Sequence, residues 1–150
     1  MGTKCFSGSA ITHLTIPGTV KIAQGFEDCK RLSSIVFEEG IQEIGSCTGT
    51  NLKHIVIPDS VTQLGGTNAG LGAVTIDLET IVIGRGLSTI PGLSFATGNS
   101  STRSLSAITF RHHIDDPLVI ENQAFGMSAS KKAIEVTIYH YGNEAVLNHN

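Results

Sequence analysis

The sequence predicts a mainly β repeat solenoid of about six repeats, with one parallel strand in each repeat. The first observation is a short apolar pattern, L-x-x-I-x-[IF], that recurs along the 150 residues. Self-similarity of this kind is the signature of repeat architectures. The second is composition, because the chain is 40% hydrophobic but only 15% charged, whereas an average globular domain has about 25% charged residues. Small polar residues and glycine supply the remaining polarity.

The strand pattern occurs six times, and its spacing changes along the chain. In order, the copies occupy residues 11–17, 32–38, 52–58, 78–84, 105–111 and, in a weaker form, 133–139. The first I of the pattern L-x-x-I-x-[IF] is occupied in turn by Leu14, Ile35, Ile55, Ile81, Ile108 and Val136. The steps between these residues are 21, 20, 26, 27 and 28 residues. The longer steps indicate insertions around residues 65–72, 97–102 and 111–117. Each segment is predicted to be a strand.

Side-chain alternation predicts which strand residues face the core. Successive side chains of a strand point to opposite faces, so the two outer residues of I-x-I point inward and the residue between them points outward. One copy cannot bury its apolar face alone, but stacked copies bury continuous columns of Ile and Phe. We therefore expect the core to lie between successive repeats.

A second, shorter apolar pair follows most strands. It is seen as Ile41 with Ile44, Val61 with Leu64 and Leu87 with Ile90, and in contracted form within residues 20–22. An aromatic residue then closes several turns, namely Phe26, Phe95 and Phe125. These segments are predicted to form an irregular or short helical return on the convex side.

The repeats resemble a known family. The segments "ITHLTIP", "LKHIVIPDSVTQLG" and "IENQAF" are similar to BspA-type leucine-rich repeats, whose unit is roughly L-x-x-I-x-I-P-x-x-V-x-x-I-G-x-x-A-F. The resemblance extends from about Lys4 to Tyr139. It implies a leucine-rich-repeat horseshoe over residues 1–139, followed by a C-terminal tail at 140–150. It also implies a cell-surface or secreted location and a role in adhesion or partner binding.

The outward strand positions are the candidate partner-binding residues on the concave face. They form two columns and comprise His13, Thr15, Ser34, Val36, His54, Val56, Thr80, Val82, Thr109 and Thr137. Val36, Val56 and Val82 form an apolar stripe that could dock a partner surface. The alternative is that β-branched residues fill these positions because they suit a pleated strand. We expect a protein or glycan partner.

A metal site is not expected at either of two groups of potential metal ligands. His13 and His54 share a column but are two strands apart, or roughly 10 Å at the usual strand spacing, which is too far for joint ligation. His112, His113, Asp115 and Asp116 are four potential ligands in five residues. The preferred interpretation is a polar loop, with a weak metal-binding module as the alternative.

Other functions are disfavoured by missing motifs. The glycine-rich segment 65–72 lacks the Lys of a phosphate-binding loop, and no nucleophile motif flanks a Ser or Cys. The pairs Glu38–Glu39 and Asp115–Asp116 are read as solvated turn residues. Three cysteines, Cys5, Cys29 and Cys47, cannot all pair and are expected to be small buried hydrophobes. We therefore predict neither an enzyme nor a cofactor.

Charge and hydropathy narrow the partners further. The net charge is −3, with 10 Lys plus Arg against 13 Asp plus Glu, so no positive field attracts nucleic acid. The chain contains no apolar run long enough for membrane insertion. Two further hypotheses stay open: the chain is a structural spacer from a longer repeat array, or it self-associates through uncapped ends.

Overall fold

The computed structural model describes residues 2, 4–65, 71, 78–92, 94–95, 105–113, 115–121 and 124–125, and the backbone of 135–138. The six predicted strands are present, each of four residues. They are β1 (His13–Ile16), β3 (Ser34–Phe37), β5 (His54–Ile57), β7 (Thr80–Ile83), β9 (Ala107–Phe110) and β11 (Glu135–Ile138). The predicted tail at 140–150 lies outside the described residues. Within the described part, no helix is present that could cross a membrane.

The long strands pair in parallel and in the register predicted by the repeat. β1 pairs with β3, and β5, β7, β9 and β11 form a four-stranded sheet in sequence order. Equivalent residues lie side by side, so that Ile55 is opposite Ile81, which is opposite Ile108. The prediction of a mainly β fold with parallel strands is confirmed.

Each of the first five repeats carries a second, shorter strand that the sequence prediction did not include. These two-residue strands are β2 (Ile22–Ala23), β4 (Glu43–Ile44), β6 (Gln63–Leu64), β8 (Thr89–Ile90) and β10 (Val119–Ile120). They form parallel sheets of order β2-β4-β6 and β8-β10. The described returns therefore consist of turns and short strands, and none of their residues is helical. In β2, β4, β6 and β8 the second residue is buried in the core, whereas both residues of β10 are exposed.

Among the described strands, pairing is interrupted once on each side of the repeats. On the long-strand side β3 and β5 are adjacent but not paired, and we call this gap the seam. On the short-strand side β6 and β8 are not paired. The second interruption coincides with the insertion at 65–72, most of which lies outside the described residues. The seam has no such insertion, since the step across it is 20 residues.

The second to fourth repeats add a similar set of side chains to the core. The set comprises the leading Leu, the two inward residues of the long strand and the last residue of the short strand; in the fifth repeat the short strand is exposed instead. In the third repeat these are Leu52, Ile55, Ile57 and Leu64, all fully or almost fully buried. Burying one such side chain contributes roughly 1.5–3 kcal/mol. The core is thus a set of columns that run from repeat to repeat, as the alternation predicts.

Aromatic side chains stack at the turn that follows the short strands. Phe6 stacks on Phe26 with ring centroids 6.3 Å apart, and Phe95 stacks on Phe125 at 5.5 Å. Cys47 occupies the position equivalent to Phe26, three residues after a short strand whose register is aligned with that of its neighbour. It is fully buried. The second repeat therefore has a thiol where the first has an aromatic ring.

The expectation of buried cysteines holds for two of the three. Cys29 and Cys47 are buried, whereas Cys5 is exposed, and all three are free. Cys5 lies before the first strand, where the neighbouring Phe6 packs against the core instead. The prediction was therefore wrong for Cys5, whose segment is anchored to the core by the ring of Phe6 and not by the thiol.

Candidate functional site

The outward side chains of the long strands form one surface, called here the outer face. Its first column contains His13, Ser34, His54, Thr80 and Ala107, and its second contains Thr15, Val36, Val56, Val82 and Thr109. Burial alternates along the long strands as expected. In β5, His54 and Val56 are exposed, whereas Ile55 and Ile57 are buried. Thr137 lies beside Thr109 in the backbone register, but its side chain is outside the described residues. The predicted residues are thus brought together along one face.

Apolar exposure on the outer face is uneven. Val36 is 51% exposed and Val56 is 43% exposed, whereas Val82 and Thr109 are half-buried. Val56 and Val82 are direct neighbours in the sheet, but Val36 lies across the seam from Val56. The predicted stripe of three valines is therefore an exposed pair and a half-buried third member.

The two histidines of the first column are engaged with hydroxyl groups. His54 Nδ1 lies 2.8 Å from Thr80 Oγ1, on the neighbouring strand. His13 Nδ1 lies 3.0 Å from Thr12 Oγ1. The register pairs His13 with Ser34 and His54 with Thr80. His54 thus has its partner on the neighbouring strand, whereas the partner of His13 is the preceding residue in the chain.

An ion pair lies at the beginning of strands β5 and β7. Lys53 Nζ donates to Glu79 Oε1 at 2.9 Å, with both side chains exposed. The hydrogen bond and the charge of Lys53 hold the pKa of Glu79 below its ordinary value. An exposed pair of this kind contributes little to stability, but it fixes the charged groups just outside the neutral outer face.

Carboxylates join consecutive repeats where the long strands end. Glu39 accepts the backbone N–H groups of Asp59 and Ser60, each at 3.0 Å, and Asp59 in turn accepts that of Arg85 at 3.1 Å. In the first turn Glu38 accepts the N–H group of Gly18 at 3.2 Å. The reading of Glu38–Glu39 as merely solvated was incomplete. These carboxylates replace acceptors that the turn amides otherwise lack.

The ionisation of Glu39 reflects these bonds. Burial opposes the charged form, but the hydrogen bonds from Asp59 and Ser60 outweigh it, and Arg111 adds an attraction. The pKa of Glu39 is consequently lowered from 4.5. Arg111 also approaches Asp59, with 3.9 Å between Nη1 and Oδ1.

The four potential ligands at 112–116 have separate structural roles. His112 is 5% exposed and its Nε2–H group donates to the Leu87 carbonyl at 2.6 Å. Asp116 accepts the backbone N–H of His113 at 2.8 Å, which lowers the pKa of Asp116, and forms an ion pair with Arg85 at 3.3 Å. Asp115 pairs with the His113 ring at 3.4 Å. Among the described residues no group of three or more ligands is placed to hold a metal ion.

The N-terminal repeats match the model of a known protein family. A family model described as a BspA type leucine rich repeat region of six copies matches residues 1–69. Residues 1–69 are therefore similar to BspA-type leucine-rich repeats. Searches of curated proteins and of solved structures gave no match.

The matched region contains the first three repeats, including Val36 and Val56. β7 and β9 continue it in the same register beyond residue 69. Leucine-rich repeats of this type form interaction or repeat modules, generally without catalytic activity, and are typically found in surface or secreted proteins. The sequence indicated the outer face through its alternation. It did not indicate the carboxylate bonds, whose only signal is an acidic residue just after a strand.

Proposed function

We propose that this chain is a non-catalytic recognition module that binds a protein or glycan partner through the outer face, in an adhesion-like role at a cell surface. The observation that carries the proposal is the exposure of Val36 and Val56 on this face. Both outward columns, from His13 to Thr109, contain no Asp, Glu, Lys or Arg. A neutral face with exposed apolar side chains suits contact with a partner, because the centres of protein interfaces are depleted of charge.

The shape of the repeat array is part of the proposal. We infer that the repeats over residues 1–139 form one curved solenoid with the outer face on its concave side, and that residues 140–150 are a tail. The parallel pairing of equivalent strands supports this arrangement. Small-angle X-ray scattering tests it, since a curved elongated particle has a larger radius of gyration than the roughly 15 Å of a compact domain of this length.

The binding proposal is tested with a charged variant of the outer face. The chain and its Val36→Lys/Val56→Lys variant are applied to immobilised panels of extracellular proteins and of glycans. Gln42→Lys, which adds one charge at an exposed position of a return, is the matched control. We expect binding to be lost in the face variant and kept in the control.

A structural spacer is the competing function. If both variants bind like the unmodified chain, or if no panel member binds, the outer face is not a recognition surface and the spacer function is favoured. Self-association through the repeat ends is a separate hypothesis. Analytical ultracentrifugation over a range of concentrations tests it, and a constant monomer mass would contradict it.

A further inference from the structure

The seam separates two sheets without separating the repeats. β3 belongs to the pair β1-β3 and β5 to the sheet β5-β7-β9-β11, and no strand pairing joins them. On the opposite side of the same repeats, β4 and β6 are paired in register. The seam is therefore an interruption in the strand pairing of the outer face, and the short strands of the same two repeats remain paired.

Hydrogen bonds hold the seam at both ends. Before the strands, the Asn51 N–H group donates to the Leu32 carbonyl at 2.9 Å. After them, Glu39 accepts the amides of Asp59 and Ser60, and Gly40 N donates to Ser60 Oγ at 2.7 Å. Because both ends are fixed, the spacing of β3 and β5 is set before any partner arrives. A preformed site of this kind loses little conformational entropy on binding.

The seam is also where the outer face is most apolar. Val36 and Val56 lie on its two sides and are the most exposed large apolar residues of that face. Val82 and Thr109, in the same column but on strands that are paired on both sides, are half-buried. The exposed apolar surface is thus concentrated at the seam and bordered by Ser34 and His54.

We propose that the seam is the anchoring point of the outer face and that it takes an uncharged, apolar side chain from a protein partner. This inference rests on the proposed function and narrows its partner from protein or glycan to protein. The partner side chain packs between Val36 and Val56, and the neighbouring hydroxyl and imidazole groups form a polar border around it. Such an apolar anchor within a polar rim is how a few residues supply most of the affinity in protein interfaces.

The chemistry of the face favours a protein over a glycan. A sugar ring is held by groups that stack on its face or bond to its hydroxyls, and neither outward column from His13 to Thr109 contains an aromatic residue, a carboxylate or an amide side chain. At the beginning of β5 and β7, the charges of Lys53 and Glu79 neutralise each other, which suits an uncharged partner side chain. The surface at the seam provides mainly valine methyl groups.

The test uses a phage-displayed library of random twelve-residue peptides as the probe, with a glycan array in parallel. The whole chain is the bait, and enriched peptides are synthesised and titrated by fluorescence anisotropy. We expect uncharged peptides with a shared large apolar residue. Affinity should fall by about tenfold or more in Val36→Lys and in Val56→Lys. Thr15→Lys and Thr109→Lys, in the same column but away from the seam, should change it less than threefold.

Thermal melting establishes that each variant is folded, and Val36→Thr and Val56→Thr replace any lysine variant that is not, with a smaller loss expected. If affinity depends on Thr15 or Thr109 and not on the valines, the seam proposal is overturned while binding by the outer face stands. If no face variant alters affinity, both proposals fail. Binding to glycans alone, charged peptides alone, or no enrichment at all also overturns the seam proposal.

Discussion

Burial controls the chemistry of the thiols at the scale of single residues. Desolvation raises the pKa of Cys47 from 9.0 to about 12, with smaller contributions from the charges of Glu27 and Cys29. Because the folded state keeps this thiol neutral, its contribution to stability is present below pH 9 and is lost as the pH rises toward 12. Cys47 behaves as a small apolar residue in a position that an aromatic ring occupies one repeat earlier.

We expect one of the three thiols to react with Ellman's reagent at pH 8 in the folded chain. Cys5 is exposed, whereas Cys29 and Cys47 are buried, and thiolate formation and access both limit the reaction. In 6 M guanidinium chloride all three should react. The variant Cys5→Ser is the control and should show no fast reaction when folded. A second fast thiol in that variant would contradict the burial of Cys29 and Cys47.

The His112 side chain connects neighbouring repeats through one hydrogen bond. Its Nε2–H group donates to the Leu87 carbonyl, and its ring packs edge-on against that of Phe110 with ring centroids 6.2 Å apart. Replacing it with Phe keeps a ring but removes the donor, so we expect His112→Phe to lower the free energy of unfolding by about 1–3 kcal/mol. Urea denaturation measures the change. His113→Phe, next to it but partly exposed, should have a smaller effect, and equal losses would refute the assignment.

At the scale of elements, the turn carboxylates make stability depend on pH. The pKa of Glu39 is lowered by the amides that it accepts, so its bonds stabilise the fold above its ordinary pKa of 4.5 and are lost as the pH falls through the folded value. We expect Glu39→Gln to cost about 1 kcal/mol at pH 7, since the site is exposed. The difference from the unmodified chain should shrink toward pH 3.

Urea midpoints at pH 7, 5, 4 and 3 measure this dependence. Glu43→Gln is the control, because Glu43 lies in a short strand and accepts no turn amide among the described bonds. A Glu39→Gln difference that stays constant over the whole pH range would show that the carboxylate charge has no role in joining the turns.

The long strands were predictable from sequence and the other elements were not, for reasons visible in particular residues. Ile55 and Ile57 on either side of Val56, with Leu52 before them, provide both alternation and an anchor. The short strands have only two residues, as in Glu43–Ile44, which is too few for alternation to register. The equivalence of Cys47 with Phe26 was not predictable, because a thiol stands where the pattern has an aromatic ring. The seam has no sequence signal, since the copies on both sides of it follow the same pattern at a regular step.

The candidate site was also predictable only in part. Alternation predicted that His54, Val56 and their equivalents share a face, because this depends only on strand geometry. It could not predict that Val82, whose strand is paired on both sides, would be half-buried while Val36 and Val56, whose strands are paired on one side only, stay exposed.

At the scale of the whole molecule, each repeat touches mainly its neighbours, so stability should be close to a sum of repeat and interface contributions. The core columns and the carboxylate bonds both cross repeat boundaries. We therefore expect Leu52→Ala, which removes a buried side chain from the third repeat, to lower the free energy of unfolding of the whole chain by about 2–5 kcal/mol. Its effect should be equal when followed by far-ultraviolet circular dichroism and by exposure of Cys29. Different values from the two probes would indicate that the repeats unfold separately.

The two interruptions in strand pairing lie at different levels of the stack. The long strands are unpaired between the second and third repeats, where β4 and β6 remain joined, and the short strands are unpaired between the third and fourth, where β5 and β7 remain joined. At every boundary between repeats whose strands are described, at least one of the two sides is therefore paired. The two interruptions are thus staggered along the array, and each is bridged by strand pairing on the opposite side of the same repeats.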